Sequence, residues 1–342
     1  MFDKLVSPVL SYGCELWGFI TGNALERVHL QFCKRVLGVK QCCQNYFIYG
    51  ELGRMPLIVT RHYRILKYWL KVLRSNESKY IRRVYNMMLE DMGAFNRKQN
   101  WAGLVKQLLE NLGFANVWIN QDVGSEELFL AQVKTRLRDI FIQNWRTRLT
   151  NSSRADLYIH VTNMFEYKMY LNVITVEKFR MSLSRLRCSS HRLHIESGRW
   201  HKAVAIPRPH RTCFACEDID NELHFVLVCP VYDELRKAYI PEYFYVNPSN
   251  FKFVELLNCD NTDIVVKFGM YVNKALLLRN DILYGKIINF SRILSRRLIP
   301  TVVDVCTLHL CVVGSLHDMY CCQGSGLCML EGVYAYSDWD LD

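Results

Sequence analysis

The chain is short of several things, and each shortage excludes a class. Only 8 of its 342 residues are proline and half are hydrophobic, so it is not a low-complexity or disordered polymer. No run approaches the roughly 18 uninterrupted apolar residues that a membrane span requires. The opening, Met1-Phe2-Asp3-Lys4-Leu5-Val6-Ser7-Pro8, lacks the basic and long apolar regions of a signal peptide. A nuclear or cytoplasmic, reducing location is therefore expected, where the 14 cysteines are thiols or metal ligands rather than disulfides. The chain has no G-x-x-x-x-G-K-[ST] loop, no H-E-x-x-H and no adjacent Asp-Asp pair. Lys and Arg are absent after Arg297.

The charge that is present is unevenly placed. Residues 1–150 carry 22 bases and 12 acids, and residues 151–212 carry 11 and 4. The remaining 130 residues carry 10 and 17. A +17 body therefore precedes an acidic remainder, as expected for a protein that meets a polyanion, although a basic face can also serve solubility alone.

Helical periodicity dominates the front. Over 24–37 the residues Leu25, Val28, Phe32, Val36 and Leu37 fall near one face, with Gly38 as a stop. Over 57–74, behind Pro56, an apolar stripe of His62, Ile65, Leu66, Trp69, Leu70 and Leu73 is flanked by Arg61, Arg64, Lys67, Lys71 and Arg74. That basic face fits either a phosphate backbone or plain solvation. Further helices are predicted at 78–92, 101–112, 126–149, 174–187, 249–258 and 262–298, the one at 126–149 carrying Leu128, Val133, Leu137, Ile140, Phe141 and Trp145. The expected fold is mainly α: a helical body over 1–172, a basic strip with a small CCHC zinc-knuckle module over 173–245, and a helical extension over 246–298. Residues 299–342, with five cysteines and no base, read as foreign to the rest and are expected to be poorly ordered.

The strongest chemical motif is Cys213-x2-Cys216-x7-His224-x4-Cys229. A two-residue gap lets both thiolates of a turn face one ion, and zinc takes four tetrahedral S and N ligands. All four positions would come from protein, so the zinc would be structural. Pro230 should end the second half of the site, with Phe225, Leu227 and Val228 packed beneath the metal. A redox C-x-x-C, a chance spacing and His210 as a competing ligand are the alternatives. The knuckle loop is acidic, with Glu217, Asp218, Asp220 and Glu222. The segment before it carries Lys178, Arg180, Arg185, Arg187, Arg192, Arg199, Lys202, Arg208 and Arg211, with Glu196 the only acid over 178–211. With His191, His194, His201, His210 and Trp200 interleaved, this strip is expected to contact nucleic acid while zinc pins its end.

Three segments carry a family resemblance: Ser7-Pro-Val-Leu-Ser-Tyr-Gly-Cys-Glu-Leu-Trp-Gly18, Arg27-Val-His-Leu-Gln-Phe-Cys-Lys-Arg-Val-Leu-Gly38 and Tyr49-Gly-Glu-Leu-Gly-Arg-Met-Pro-Leu57. They resemble the region after the polymerase palm in LINE-type (non-LTR) retrotransposon reverse transcriptases. Ser189-Ser-His-Arg-Leu-His-Ile-Glu-Ser-Gly-Arg199, the CCHC set and Cys229-Pro-Val-Tyr-Asp-Glu-Leu-Arg236 resemble that family's carboxy-terminal zinc-binding region. The likeness covers about residues 1–280. It implies a thumb-and-linker body and a zinc module that help hold template RNA or target DNA, with Cys213, Cys216, His224 and Cys229 as ligands. It also implies that fingers, palm and endonuclease lie upstream of Met1. Polymerases bind divalent ions through paired aspartates, and Asp338-Trp-Asp340 lies outside any palm, so the expected product is a truncated, non-catalytic one. Its expected partners are RNA or DNA, with other retroelement or host proteins, and neither a membrane nor a small-molecule substrate. A protein–protein scaffold using the zinc unit, and a non-functional truncated product, are the competing expectations.

Overall fold

The computed structural model describes residues 2–20, 23–92, 100–162, 164–200 and 204–284. Two compact units divide the chain, Met1–Leu283 and Tyr284–Asp342. Beyond Tyr284 the second unit lies outside the described residues, and with it the expectations for 299–342 and for the last part of the 262–298 helix.

The first unit is mainly helical. Among the described residues the only β features are two isolated bridges, Leu52–Tyr167 and Thr212–Ile219. Helices run over Asn23–Leu37, Leu57–Leu73, Tyr80–Met92, Trp101–Asn111, Glu126–Thr150, Glu177–Arg187, Asn250–Leu257 and Thr262–Leu283. All but the last match a periodic stretch of the sequence to within a few residues at either end, and the last matches the start of the 262–298 stretch. Among the described residues, no helix is long and apolar enough to cross a membrane.

Two hydrophobic cores lie in this unit. One is built from Ile65, Leu66, Trp69 and Leu70 with Val105, Leu109, Phe129 and Val133. The other runs from Leu30 and Cys33 through Phe47, Trp145, Leu186 and Phe225 to Tyr271 and Ala275. The Glu126–Thr150 helix serves both. Its inward residues Phe129, Val133, Leu137, Phe141, Trp145 and Leu149 follow a four-residue step. Each step overshoots a full turn by about 40°, so the ridge rotates by roughly 200° between its ends. One end therefore faces the first core and the other end faces the second.

Several expected faces are corrected. Leu128, placed on the apolar ridge by spacing, is 67% exposed, because the ridge starts one residue later. In Asn23–Leu37, Val28 and Val36 are exposed, while His29, Leu30, Cys33, Lys34 and Leu37 are buried. Two polar side chains sit inward here because their heads have partners. His29 Nδ1 lies 2.8 Å from Glu26 Oε1, and Lys34 Nζ donates to Gln41 O at 2.6 Å. Arg61 belongs to the expected basic face but is 1% exposed. It lies over the Trp17 ring and donates to Ile20 O. Arg64 pairs with Glu15, and Arg74 with Glu126. The expected domain boundaries at 172/173 and 245/246 do not separate cores, since the larger core crosses both.

Candidate metal centre

The C-x-x-C turn is a short hairpin. Cys213 N donates to Asp218 O at 2.7 Å and Asp218 N to Cys216 O at 2.6 Å. Glu217 takes φ 55° to close it, a left-handed conformation normally left to glycine. The second half starts where Asn221 Oδ1 accepts from His224 N at 2.8 Å. His224–Val228 then forms one π turn, closed by Cys229 N donating to His224 O. In an α-helix, residues five apart point about 140° away from each other. The wider i-to-i+5 turn brings Cys229 back beneath His224.

The ligand atoms of Cys213, Cys216, His224 and Cys229 all lie within 4.8 Å of one another. Cys229 Sγ is 3.9 Å from both Cys213 Sγ and Cys216 Sγ, and Cys216 Sγ is 3.1 Å from His224 Nε2. A tetrahedral zinc with Zn–S near 2.3 Å requires S···S edges of about 3.8 Å and S···N edges of about 3.6 Å. The sulfur edges fit, and the S···N edge has to open by about half an ångström. His224 Nδ1 lies 3.6 Å from Asp218 Oδ2, so Nε2 is the nitrogen turned to the sulfurs, with a carboxylate behind the ring. The Cys213 thiol is pulled down to about 3 by hydrogen bonds, chiefly from Cys229 and then from His224, against the effect of burial. Burial and the neighbouring sulfur push Cys216 up to about 11. Without a cation one sulfur ionises easily and the next resists. Four such side chains form a site that could hold a metal ion.

The support beneath the site comes largely from residues that no motif announced. Phe225 and Leu227 are buried as expected, but Val226 takes the inward place given to Val228, which is exposed. The buried Arg236 donates to Val226 O at 2.9 Å and to Cys229 O at 2.7 Å. Tyr271 OH donates to Phe225 O and Val226 O. These two side chains satisfy carbonyls that the π turn leaves unpaired. Asp220 is buried, accepts from His194 N, and forms a two-point ion pair with Arg279. Arg236 closes one of the family-like segments, but Tyr271 and Arg279 lie tens of residues away and leave no local signal.

Two further expectations change. His210 is exposed and is not in the cluster. The acidic loop is less acidic at its surface than its sequence suggests, because Asp220 faces Arg279 and the buried Glu222 faces His191 Nε2 at 2.9 Å, while Glu217 and Asp218 stay exposed. His191 Nδ1 accepts from Leu193 N, which assigns the proton to Nε2.

The nine strip residues do not form one continuous contact surface. Arg187 is 3% exposed and bound to Glu51 and Leu257 O. Arg211 is buried and donates to Ile206 O and Ile195 O. Both were expected to touch nucleic acid. Both instead satisfy buried acceptors, which a long guanidinium can reach from a nominally outward position. Arg180 donates to Ile174 O, Arg199 engages Glu196 and Ser153, and Arg208 pairs with Asp156. Lys178, Arg185 and Arg192 are exposed. Lys202 and His201 lie outside the described residues. Compared with family models, curated proteins and solved structures, the chain matches none.

Proposed function

We propose that the chain is a non-catalytic, nucleic-acid-binding remnant of a LINE-type reverse transcriptase, with a structural zinc at Cys213, Cys216, His224 and Cys229. The carrying observation is the convergence of three sulfurs and one imidazole nitrogen within 4.8 Å, at edges close to those of a zinc tetrahedron. Zinc, when bound, supplies a fixed charge that lets all three sulfurs ionise, and it leaves no open position for a reacting water. Around it, this chain's residues hold the basic segment in place. His194 Nδ1 donates to Thr212 O, and Ile195 N donates to Asp220 O. The +17 charge of residues 1–212 supports a polyanionic partner. The absence of an adjacent Asp pair from the sequence supports a role without polymerase chemistry.

A second reading, a protein–protein scaffold, draws on a row of exposed apolar side chains, Leu5, Val9, Tyr12, Leu16 and Ile20. The acidic loop adds little to it, since Asp220 and Glu222 are turned inward. Metal analysis of the purified full chain, paired with retention on single-stranded RNA as salt rises, separates the two. One equivalent of zinc, lost in His224→Ala, and a steep salt-dependent release support the proposal. A metal-free chain with a flat salt response, or a nuclease-insensitive protein pull-down alone, abandons it.

A further inference from the structure

Two stretches of the chain contain no acid. Residues 27–50 carry Arg27, Lys34, Arg35 and Lys40, and residues 178–195 carry Lys178, Arg180, Arg185, Arg187 and Arg192. Far apart in sequence, they are joined at the turn that follows the Asn23–Leu37 helix. Gly38 ends that helix with φ 64°, and Arg185 Nε donates to its carbonyl at 2.6 Å. Lys40 N donates to Ser190 Oγ at 2.9 Å, Lys40 Nζ to His191 O at 3.3 Å, and Cys43 Sγ to Cys188 O at 3.5 Å.

The sorting of charge at this junction is one-sided. Lys34 and Arg187 are buried, and Arg180 is partly so. Arg27, Arg35, Lys40, Lys178, Arg185 and Arg192 are exposed. The carboxylates bordering both stretches mostly face the other way. Glu26 accepts from Tyr49 OH and Leu57 N, and Glu51 from Arg187. Glu196 is held by Arg199 and Arg154, and Glu222 by His191. Glu177 is the exposed exception, next to Lys178 in sequence and eight residues from Arg185 on the same helix, so about 12 Å from the latter along its axis.

On one helix Arg27 and Arg35 are also eight apart, separated by the exposed Gln31. On the other, Lys178 and Arg185 are seven apart and share a face. Rows of roughly 10–12 Å outreach any single small anion. They are long enough to meet more than one phosphate of a nucleic-acid backbone.

We infer that the junction surface of Arg35, Lys40, Arg185 and Arg192, flanked by Arg27 and Lys178, is where the phosphate backbone of a nucleic acid lies. This rests on the nucleic-acid reading above and moves its footprint. Half of the footprint comes from the Asn23–Leu37 helix and the turn after it, which the strip of residues 178–211 did not include, and Arg199, Arg208 and Arg211 drop out. Contacts of this kind grip charge and read no base. The metal loop acts at one remove, through Asp220, which holds His194 N and Ile195 N just beyond Arg192.

The test uses the metal-loaded full chain and an oligouridylate of about 20 nucleotides, with a DNA duplex of equal length as a second probe, titrated by fluorescence anisotropy across about 50–200 mM salt. Replacing Arg35, Lys40, Arg185 and Arg192 together by Gln should lower the log–log salt slope on the single strand by about 0.7 for each phosphate no longer neutralised. Lys67→Gln with Lys71→Gln, on the other exposed basic face, should leave the slope unchanged. A second measurement needs no variant: bound oligonucleotide should protect Lys40 and Lys178 from an amine-acylating reagent, and leave Lys67 reactive. A flat wild-type slope removes the nucleic-acid reading itself. A steep wild-type slope that survives the four substitutions, or that falls with Lys67 and Lys71, overturns the footprint alone, as does equal reactivity of Lys40 with and without oligonucleotide.

Discussion

Arg187 and Glu51, 136 residues apart, meet in the larger core as a two-point ion pair, Nε to Oε2 at 2.9 Å and Nη2 to Oε1 at 3.2 Å. The remaining nitrogen donates to Leu257 O at 2.7 Å, and the guanidinium lies over the Tyr170 ring. Four segments are tied through one side chain.

Arg187→Ala strands the buried Glu51 carboxylate and should cost about 3–5 kcal/mol in urea unfolding. Arg187→Met with Glu51→Gln should recover part of that deficit, because no charge is then left unpaired. A single variant as stable as the wild type contradicts the pairing.

His62 gives the pH dependence its sign. Burial, with the neighbouring Arg61 charge, lowers its pKa from the ordinary 6.5 to about 4. The folded state therefore holds it neutral while the unfolded chain binds a proton more readily. Its contribution is complete above about pH 6.5 and is lost as pH falls toward 4. Because the ring is partly exposed, about 2 kcal/mol is expected rather than the full shift. His62→Gln should flatten the decline in urea midpoint between about pH 7 and 4.5; parallel curves for both proteins count against it.

Arg236 separates support of the metal from ligation of it. Arg236→Ala leaves Cys229 O with only the longer bond from Tyr232 N, and Val226 O with only that of Tyr271. Stability should drop by about 2–4 kcal/mol, and zinc should pass to a chromophoric chelator at roughly 10–100-fold lower chelator concentration. Arg236→Lys should not restore either property, since one ammonium cannot span both carbonyls.

Three glycines with positive φ should rank by what surrounds them. At Gly53 a Cβ runs into Tyr167 N and Glu166 C, which are backbone and cannot move aside. At Gly38 the obstacle is the flexible Met181 side chain, and at Gly124 nothing lies within 4 Å. Alanine should therefore cost most at Gly53, less at Gly38, and only the conformational term of about 1–2 kcal/mol at Gly124. Thermal midpoints of the three variants give the order directly.

How much of the molecule was legible in its sequence depended on the physical signal. Repeating apolar positions located the helices, because burial enforces a 3.6-residue period. The four-ligand spacing located the Cys/His cluster that could hold a metal ion, because a tetrahedron limits how the chain can reach it. Arginine was the residue type that misled. Arg61, Arg187 and Arg211 count as surface charge by composition, yet each donates to a carbonyl or carboxylate brought close only by tertiary packing. The same blindness hid Tyr271 and Arg279, and it made the loop around Asp220 look more acidic than the folded surface is.

Phe225, between His224 and Val226, shares one apolar core with Leu30 of the Asn23–Leu37 helix and Ala275 of the Thr262–Leu283 helix. The sulfur-bearing turn therefore has no seam along which it could be lifted out and grafted onto another scaffold, as an autonomous finger can. Any excised piece would carry raw hydrophobic faces on both sides. Conversely, disturbing the turn that holds the four candidate ligands should loosen the distant Asn23–Leu37 helix, which packs into the same core.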